Sequence, residues 1–117
     1  IKNDFYTFKN KNCFFAMTAH IIYQKIDKLN TATHSKKLIK LIRKKIGFKN
    51  ILISDDLSMK SLKGNMKVNT IKTFSSGCNI ALHCNGNLSE MKIVADNSPM
   101  LSKFIIKKTS LFYKILS

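Results

Sequence analysis

Two carboxylates, Asp55 and Asp56, stand side by side in a chain that carries only six acidic residues against 21 Lys and Arg. A carboxylate fixed at the end of a strand can attack a substrate carbon. It can also simply cap the turn that follows, and the pair taken alone leaves capping as the simpler reading. Strand alternation places Ile51, Ile53 and Asp55 on one side and Leu52, Ser54 and Asp56 on the other. At most one of the two carboxylates therefore faces a site directly, and the pattern favours Asp55. Asp56 reads as a group that bonds nearby backbone or orients its neighbour. His20, at the end of an earlier apolar run, either lines the same mouth or is a packed histidine bonded to backbone. His34 precedes a helix and reads as a solvated or capping residue. His83 lies near Cys78 and Cys84 in sequence, but the spacing fits no usual zinc pattern and reads as core packing.

The elements that must position these groups alternate. Cys13–Ala19 (CFFAMTA) is a short apolar run and reads as a buried strand. Met17, Phe14, Phe15 and Phe48 read as core, with Met17 also near the mouth. His20 to Thr33 is a long connection, of a length that usually has a function. Ser35 is placed to cap a helix over 36–46, whose apolar positions are Leu38, Leu41, Ile42 and Ile46. Gly47 is the expected stop. Asn50–Ser54 (NILIS) follows as a strand covered on both faces, delivering the two carboxylates at its C-terminal end. A helix over 68–75 ending near Gly77, a strand over 78–84, a helix over 88–95 and a last helix over 99–116 complete the chain. Pro99 suits the first turn of the last helix, after Ser98 as its cap. Asn85-Gly86-Asn87 is a turn signal. The alternation predicts an α/β fold with right-handed crossovers and a parallel sheet, as one unit over residues 1–117.

Composition narrows the class. The net charge of +15 is carried by Lys, with Arg43 the single arginine. Asn and Ile are abundant too. A phosphate-reading surface would draw on Arg, whose planar fork grips phosphate in two places, so the charge reads as compositional bias and nucleic acid as an unlikely partner. The odd number of cysteines, with no Cys-x-x-Cys pair, points to reduced thiols and a cytoplasmic location. No apolar run approaches membrane-spanning length, so no membrane partner is expected.

The run LIKLIRKKIGFKNILISDDLSM, Leu38 to Met59, resembles the active-site signature of the family-3 glycoside hydrolases, in the bacterial β-N-acetylhexosaminidase branch. The residues that carry the resemblance are Leu41, Ile42, Arg43, Gly47, Phe48, Ile51, Leu52, Ile53, Ser54 and Asp55. Met17-Thr18-Ala19-His20 with Tyr23 and Asp27 is similar to the family's MTAH strand end and loop. Thr31-Ala32-Thr33 with Ser35 is similar to its PAT-x-S step into a helix, and Gly77 to Leu82 to its AGCD strand. The resemblance implies the C-terminal three βα units of a (β/α)8 TIM-type barrel, incomplete on its own, since a full barrel takes about 250 residues. It implies Asp55 as the nucleophile of a retaining reaction, with His20, Met17 and Asp56 as candidate lining residues. It further implies N-acetylglucosaminyl cell-wall fragments as substrates, no metal or organic cofactor, and a separate N-terminal half as a candidate partner. The family's catalytic His and Asp, and its Lys-His sugar-binding motif, lie upstream of the region matched. Asn50 stands where the family has Gly, a position where Asn tolerates positive φ best. Asn79 replaces an acidic residue and Thr31 a proline.

Overall fold

A computed structural model describes residues 5, 6, 8, 9 and 12–117. Its sheet has three parallel strands in the order β1-β2-β3: β1 is Phe15–Met17, β2 Ile51–Asp56 and β3 Ile80–Leu82. The register pairs Phe15 with Ile51 and Met17 with Ile53 across β1 and β2, and Ile53 with Ile80 across β2 and β3. A parallel sheet with helical crossovers is what the alternating pattern predicts. The two outer strands are shorter than expected, although backbone bonds from the Ile51 N–H to the Phe14 carbonyl and from the Thr18 N–H to the Ile53 carbonyl continue the ladder past both ends of β1. Part of the polar N-terminal stretch lies outside the described residues.

Helix α1 spans Lys36–Leu41 and runs directly into a wider π turn, Ile42–Ile46. Ser35 caps it as expected, its Oγ accepting from the Leu38 N–H at 3.2 Å. Gly47, at φ 79°, closes the π turn with its N–H on the Ile42 carbonyl, a conformation that favours glycine. Ile39 is buried in the core, although the apolar spacing pointed to Leu41 and Ile42 instead. The core comprises Ile39, Phe48, Leu52 and Cys78, with Ala16 and Ile42 packed against it, and so lies between the sheet and α1. Helix α2, Met66–Ser76, starts two residues earlier than expected because Asn65 caps it, accepting from the Val68 N–H. Gly77 ends it at φ 113°, and a Cβ there would stand 3.0 Å from Ile39 Cγ2. Only glycine lets the end of α2 approach α1 so closely.

Helix α3 spans Leu88–Asp96, capped by Asn87. Helix α4 spans Lys103–Leu116 and is capped by Ser102, not Ser98. The expectation fails because the Ser98 hydroxyl turns back to donate to the Val94 carbonyl, finishing α3. Phe112 of α4 packs on Phe14 and Phe15, with ring centroids 5.4 and 5.0 Å apart. Lys108 Nζ donates to Asn50 Oδ1 at 2.7 Å, and Asn50 Nδ2 donates to the Cys13 carbonyl at 2.8 Å. Asn50 does not adopt positive φ; its amide instead ties the N-terminal ends of β1 and β2 to α4.

The connection from β1 to α1 is held by Asp27. Its carboxylate accepts from the Ser35 hydroxyl at 2.7 Å, from the Leu29 and Asn30 N–H groups and from the Asn30 side chain. These bonds, Ser35 foremost, lower its pKa from 3.8 to about 2. His34 is half-buried against α2, its Nε2 3.2 Å from Thr73 Oγ1, and not the solvated or capping residue expected. Burial first, then the neighbouring His20 and Lys72, pushes its pKa from 6.5 down to about 4. Both groups bind protons more readily in the unfolded chain, so acidification weakens the fold in two adjoining windows. Stability falls between about pH 6.5 and 4 through His34, and between about pH 4 and 2 through Asp27. Thermal melts from pH 7 to pH 2 should show His34→Gln flattening the upper part of the decline and Asp27→Asn the lower. Unchanged profiles in both variants would contradict this account.

Candidate active site

The carboxylates are the last two residues of β2, which runs two residues past the expected end at Ser54. Between Ile53 and Asp56 the register with β3 slips, three residues of β2 facing two of β3. At this bulge Ser54, fully buried, accepts the Leu82 N–H on its hydroxyl at 2.9 Å, in place of a backbone carbonyl. Bulges beside active sites re-aim side chains, and this one breaks the strict alternation expected along the strand. Its sequence signal is a Ser closing an aliphatic run, which is too weak to find it without the fold.

Asp55 is partly buried, and its Oδ1 accepts the Asp56 N–H at 2.9 Å. Asp56 faces the end of β3: its Oδ1 accepts from the Ser58 and Cys84 N–H groups, each at 3.0 Å, and its Oδ2 from the Ser58 hydroxyl. Desolvation works to raise the Asp56 pKa, but these bonds outweigh it and leave the carboxyl below its ordinary value. With both oxygens occupied, Asp56 braces the β2 and β3 ends.

His20 is buried, and both of its ring nitrogens are engaged. Nδ1 lies 2.9 Å from Thr33 Oγ1 and Nε2 2.8 Å from the Asp56 carbonyl oxygen. Thr33 Oγ1 also lies 2.9 Å from Thr18 Oγ1. Met17, counted as core in the sequence, is 59% exposed. It lies on the sheet face opposite Ala16, where the described residues lay little over it. The structure therefore gathers Asp55, Asp56 and His20 at the C-terminal ends of β1 and β2, and leaves Met17 on the open face.

Sequence reasoning missed a further pair. His83, just past β3, lies with its Nε2 2.9 Å from Glu90 Oε2 on α3; its side chain is 5% exposed. Glu90 also accepts from Asn85 Nδ2. The His83 bond first, then that of Asn85, lowers the Glu90 pKa. His83 is thus packed, as expected, but through a hydrogen bond to Glu90 that ties α3 to β3. Among the described residues no group of three or more His, Cys, Asp or Glu could hold a metal. No helix there is long and apolar enough to cross a membrane. A groove of about 340 Å³ lies elsewhere, lined by residues including Asp27, His34, Lys36 and Lys72, and none of the carboxylates of β2 reaches it.

Comparison with known proteins agrees with the geometry. The Glycosyl hydrolase family 3 N terminal domain matches residues 5–108. A Beta-hexosaminidase of Methylobacillus flagellatus is 34% identical over 71 residues, which are 59% of this chain and 20% of that protein. A Beta-hexosaminidase of Neisseria gonorrhoeae is 29% identical over 102 residues, 81% of this chain and 28% of that protein. The structure of NagZ from Neisseria gonorrhoeae in complex with zinc ion superimposes with a TM-score of 0.65 at 28% identity, over 79% of this chain and 26% of that one. The chain thus spans between 20% and 28% of the length of these relatives.

Proposed function

The chain belongs to the glycosyl hydrolase family 3 N terminal domain, and from that premise we propose that it forms the C-terminal three βα units of a (β/α)8 barrel. The barrel would hydrolyse terminal, non-reducing N-acetyl-β-D-glucosamine residues from cell-wall fragments in the cytoplasm, as part of their recycling. The observation that carries this reading is Asp55 on the terminal turn of β2, beside a bulge and a buried histidine. Catalytic groups of such barrels gather at this end of the strands.

Asp55 is the nucleophile in this reading. Its carboxylate attacks the anomeric carbon, the glycosidic bond to the leaving group breaks, and a covalent glycosyl-enzyme forms; water then releases the sugar with net retention. The proton for the leaving oxygen comes from an acid outside this chain. Asp56 braces the strand ends. The remaining barrel strands, on a separate polypeptide or a longer form of this one, pair with the free edges of β1 and β3 and wall the sugar site. The outer edges of β1 and β3, which pair with no strand among the described residues, and the exposed Met17 support this, since an open sheet edge is a template for further pairing.

A second reading, an inactive remnant, is favoured by departures inside the matched region, where Asn50 stands for Gly, Asn79 for an acidic residue and Thr31 for a proline. Hydrolysis of a chromogenic N-acetyl-β-glucosaminide separates the two. The chain alone should be silent, and the chain mixed with a polypeptide carrying the upstream βα units should turn over. Silence of the folded mixture would reject the enzymatic reading in favour of the remnant.

A further inference from the structure

We propose that His20 is a positioning residue that clamps the Asp56–Leu57 peptide, the second after the nucleophile, and so sets the direction in which Asp55 leaves the strand. The inference rests on Asp55 being the nucleophile.

The peptide joining Asp56 to Leu57 is held from both sides of β2. Its N–H, on Leu57, donates to the Leu82 carbonyl at 2.9 Å, the β3 side. Its carbonyl, on Asp56, receives His20 Nε2 at 2.8 Å from the β1 side. A third contact, the Met59 N–H at 3.2 Å, closes the turn beneath it. A plane fixed at both its polar atoms has little freedom to tilt, and Asp55 is one residue away.

Proton bookkeeping fixes how the ring does this. A carbonyl oxygen only accepts, so Nε2 carries a proton. Nδ1 lies 2.9 Å from Thr33 Oγ1, whose hydroxyl also has the Ala19 carbonyl as an acceptor at 3.2 Å. Thr33 Oγ1 lies 2.9 Å from Thr18 Oγ1, whose hydroxyl in turn reaches the Ile53 carbonyl at 3.4 Å. The result is a side-chain network from Thr18 through Thr33 and His20 that ends on the Asp56 carbonyl. The network starts on the residue after β1, whose own N–H continues the ladder to the Ile53 carbonyl at 2.9 Å. The strand that ends in Met17 and the strand that carries the nucleophile are therefore locked to one another at the mouth by side chains. Because both nitrogens are spent on protein partners and the ring is only 8% exposed, His20 acts through the backbone and not on the sugar.

The test uses two substitutions of unlike reach. Glutamine sets its amide nitrogen near the place of Nε2 and keeps the donor to Asp56. Asparagine is too short and loses it. In the full chain, ¹⁵N spectra of the histidine rings should show His20 with its proton on Nε2. Leu57 amide exchange should accelerate by about tenfold in His20→Asn and stay within about threefold of wild type in His20→Gln. In the barrel completed by the upstream units, His20→Asn should lower kcat with little change in KM, and His20→Gln should restore it. A ring with no proton on Nε2, equal exchange in the two variants, or an unaltered kcat in His20→Asn would overturn the clamp. Asp55→Asn run alongside distinguishes the two failures: if it leaves turnover intact, the nucleophile assignment falls, whereas the ring tautomer and the exchange data judge the clamp without any turnover.

Discussion

Asp55→Asn in the completed barrel lowers kcat/KM for an N-acetyl-β-glucosaminide by at least about three orders of magnitude, the scale of losing a nucleophile. The substitution is close to isosteric, and its amide oxygen can still accept the Asp56 N–H that Oδ1 accepts now. The fold should therefore be undisturbed, and the thermal midpoint of the variant should match that of the wild type. Asp56→Asn is the necessary companion. It weakens the bonds to Ser58 and Cys84, so it costs stability first and activity second. The pair of variants reads out the assignment of neighbouring carboxylates that sequence alone cannot separate. If Asp56→Asn abolishes turnover in a stable protein while Asp55→Asn does not, the roles are reversed.

Arg43→Ala should be the most damaging single change to stability, costing about 3 kcal/mol. The guanidinium is partly buried and bonds three acceptors: Nη1 donates to the Phe48 and Asn50 carbonyls at 3.1 and 2.7 Å, and Nη2 to Asn79 Oδ1 at 2.7 Å. The same Asn79 oxygen takes the Leu52 N–H at 2.9 Å. One side chain thus joins the end of the π turn, the approach to β2 and the approach to β3, and it lies over the Phe48 ring at 5.6 Å. Removing it strands several acceptors at once, in a domain whose total stability is on the order of 5–15 kcal/mol. Arg43→Lys should recover only a small part, because a single ammonium cannot reproduce the planar fork. Urea midpoints with unchanged m-values are the measurement. An Arg43→Lys protein as stable as wild type would show that charge, not fork geometry, is what matters. In a chain with twenty lysines, the lone arginine occupies a position where lysine would not serve.

Much of the scaffold was legible because its signals are local. The NILIS run, the Ser35 cap and the Gly47 stop each declare themselves within a few residues, and together they yield a parallel sheet with helical crossovers. The errors lie where a side chain takes over the work of backbone. Ser54 replaces a carbonyl at the bulge, so the alternation of β2 could not be counted through it. Ser98 and Ser102 are both plausible caps, and only the Val94 carbonyl within reach of Ser98 decides between them. At the site, the sequence singled out Asp55, Asp56 and His20 and left His20 open between lining the mouth and bonding to backbone, but it did not give the partners of His20. Its two partners are 13 and 36 residues away, and no local pattern encodes contacts of that separation. His34 was misread for the same reason, its Thr73 partner lying on a later helix.

The placement of α4 carries a consequence for how such a chain can change. Phe112, Asn50 and the Arg43 network knit together the entry ends of the strands, while the carboxylates and His20 occupy the exit ends. The ties to α4 and the Arg43 network thus lie at the opposite end of the strands from Asp55, the proposed nucleophile. A lineage could lose the proposed nucleophile Asp55 while selection for a foldable product continued to act on the far end. Surviving architecture is for that reason a poor witness to surviving activity, and the two must be assayed separately.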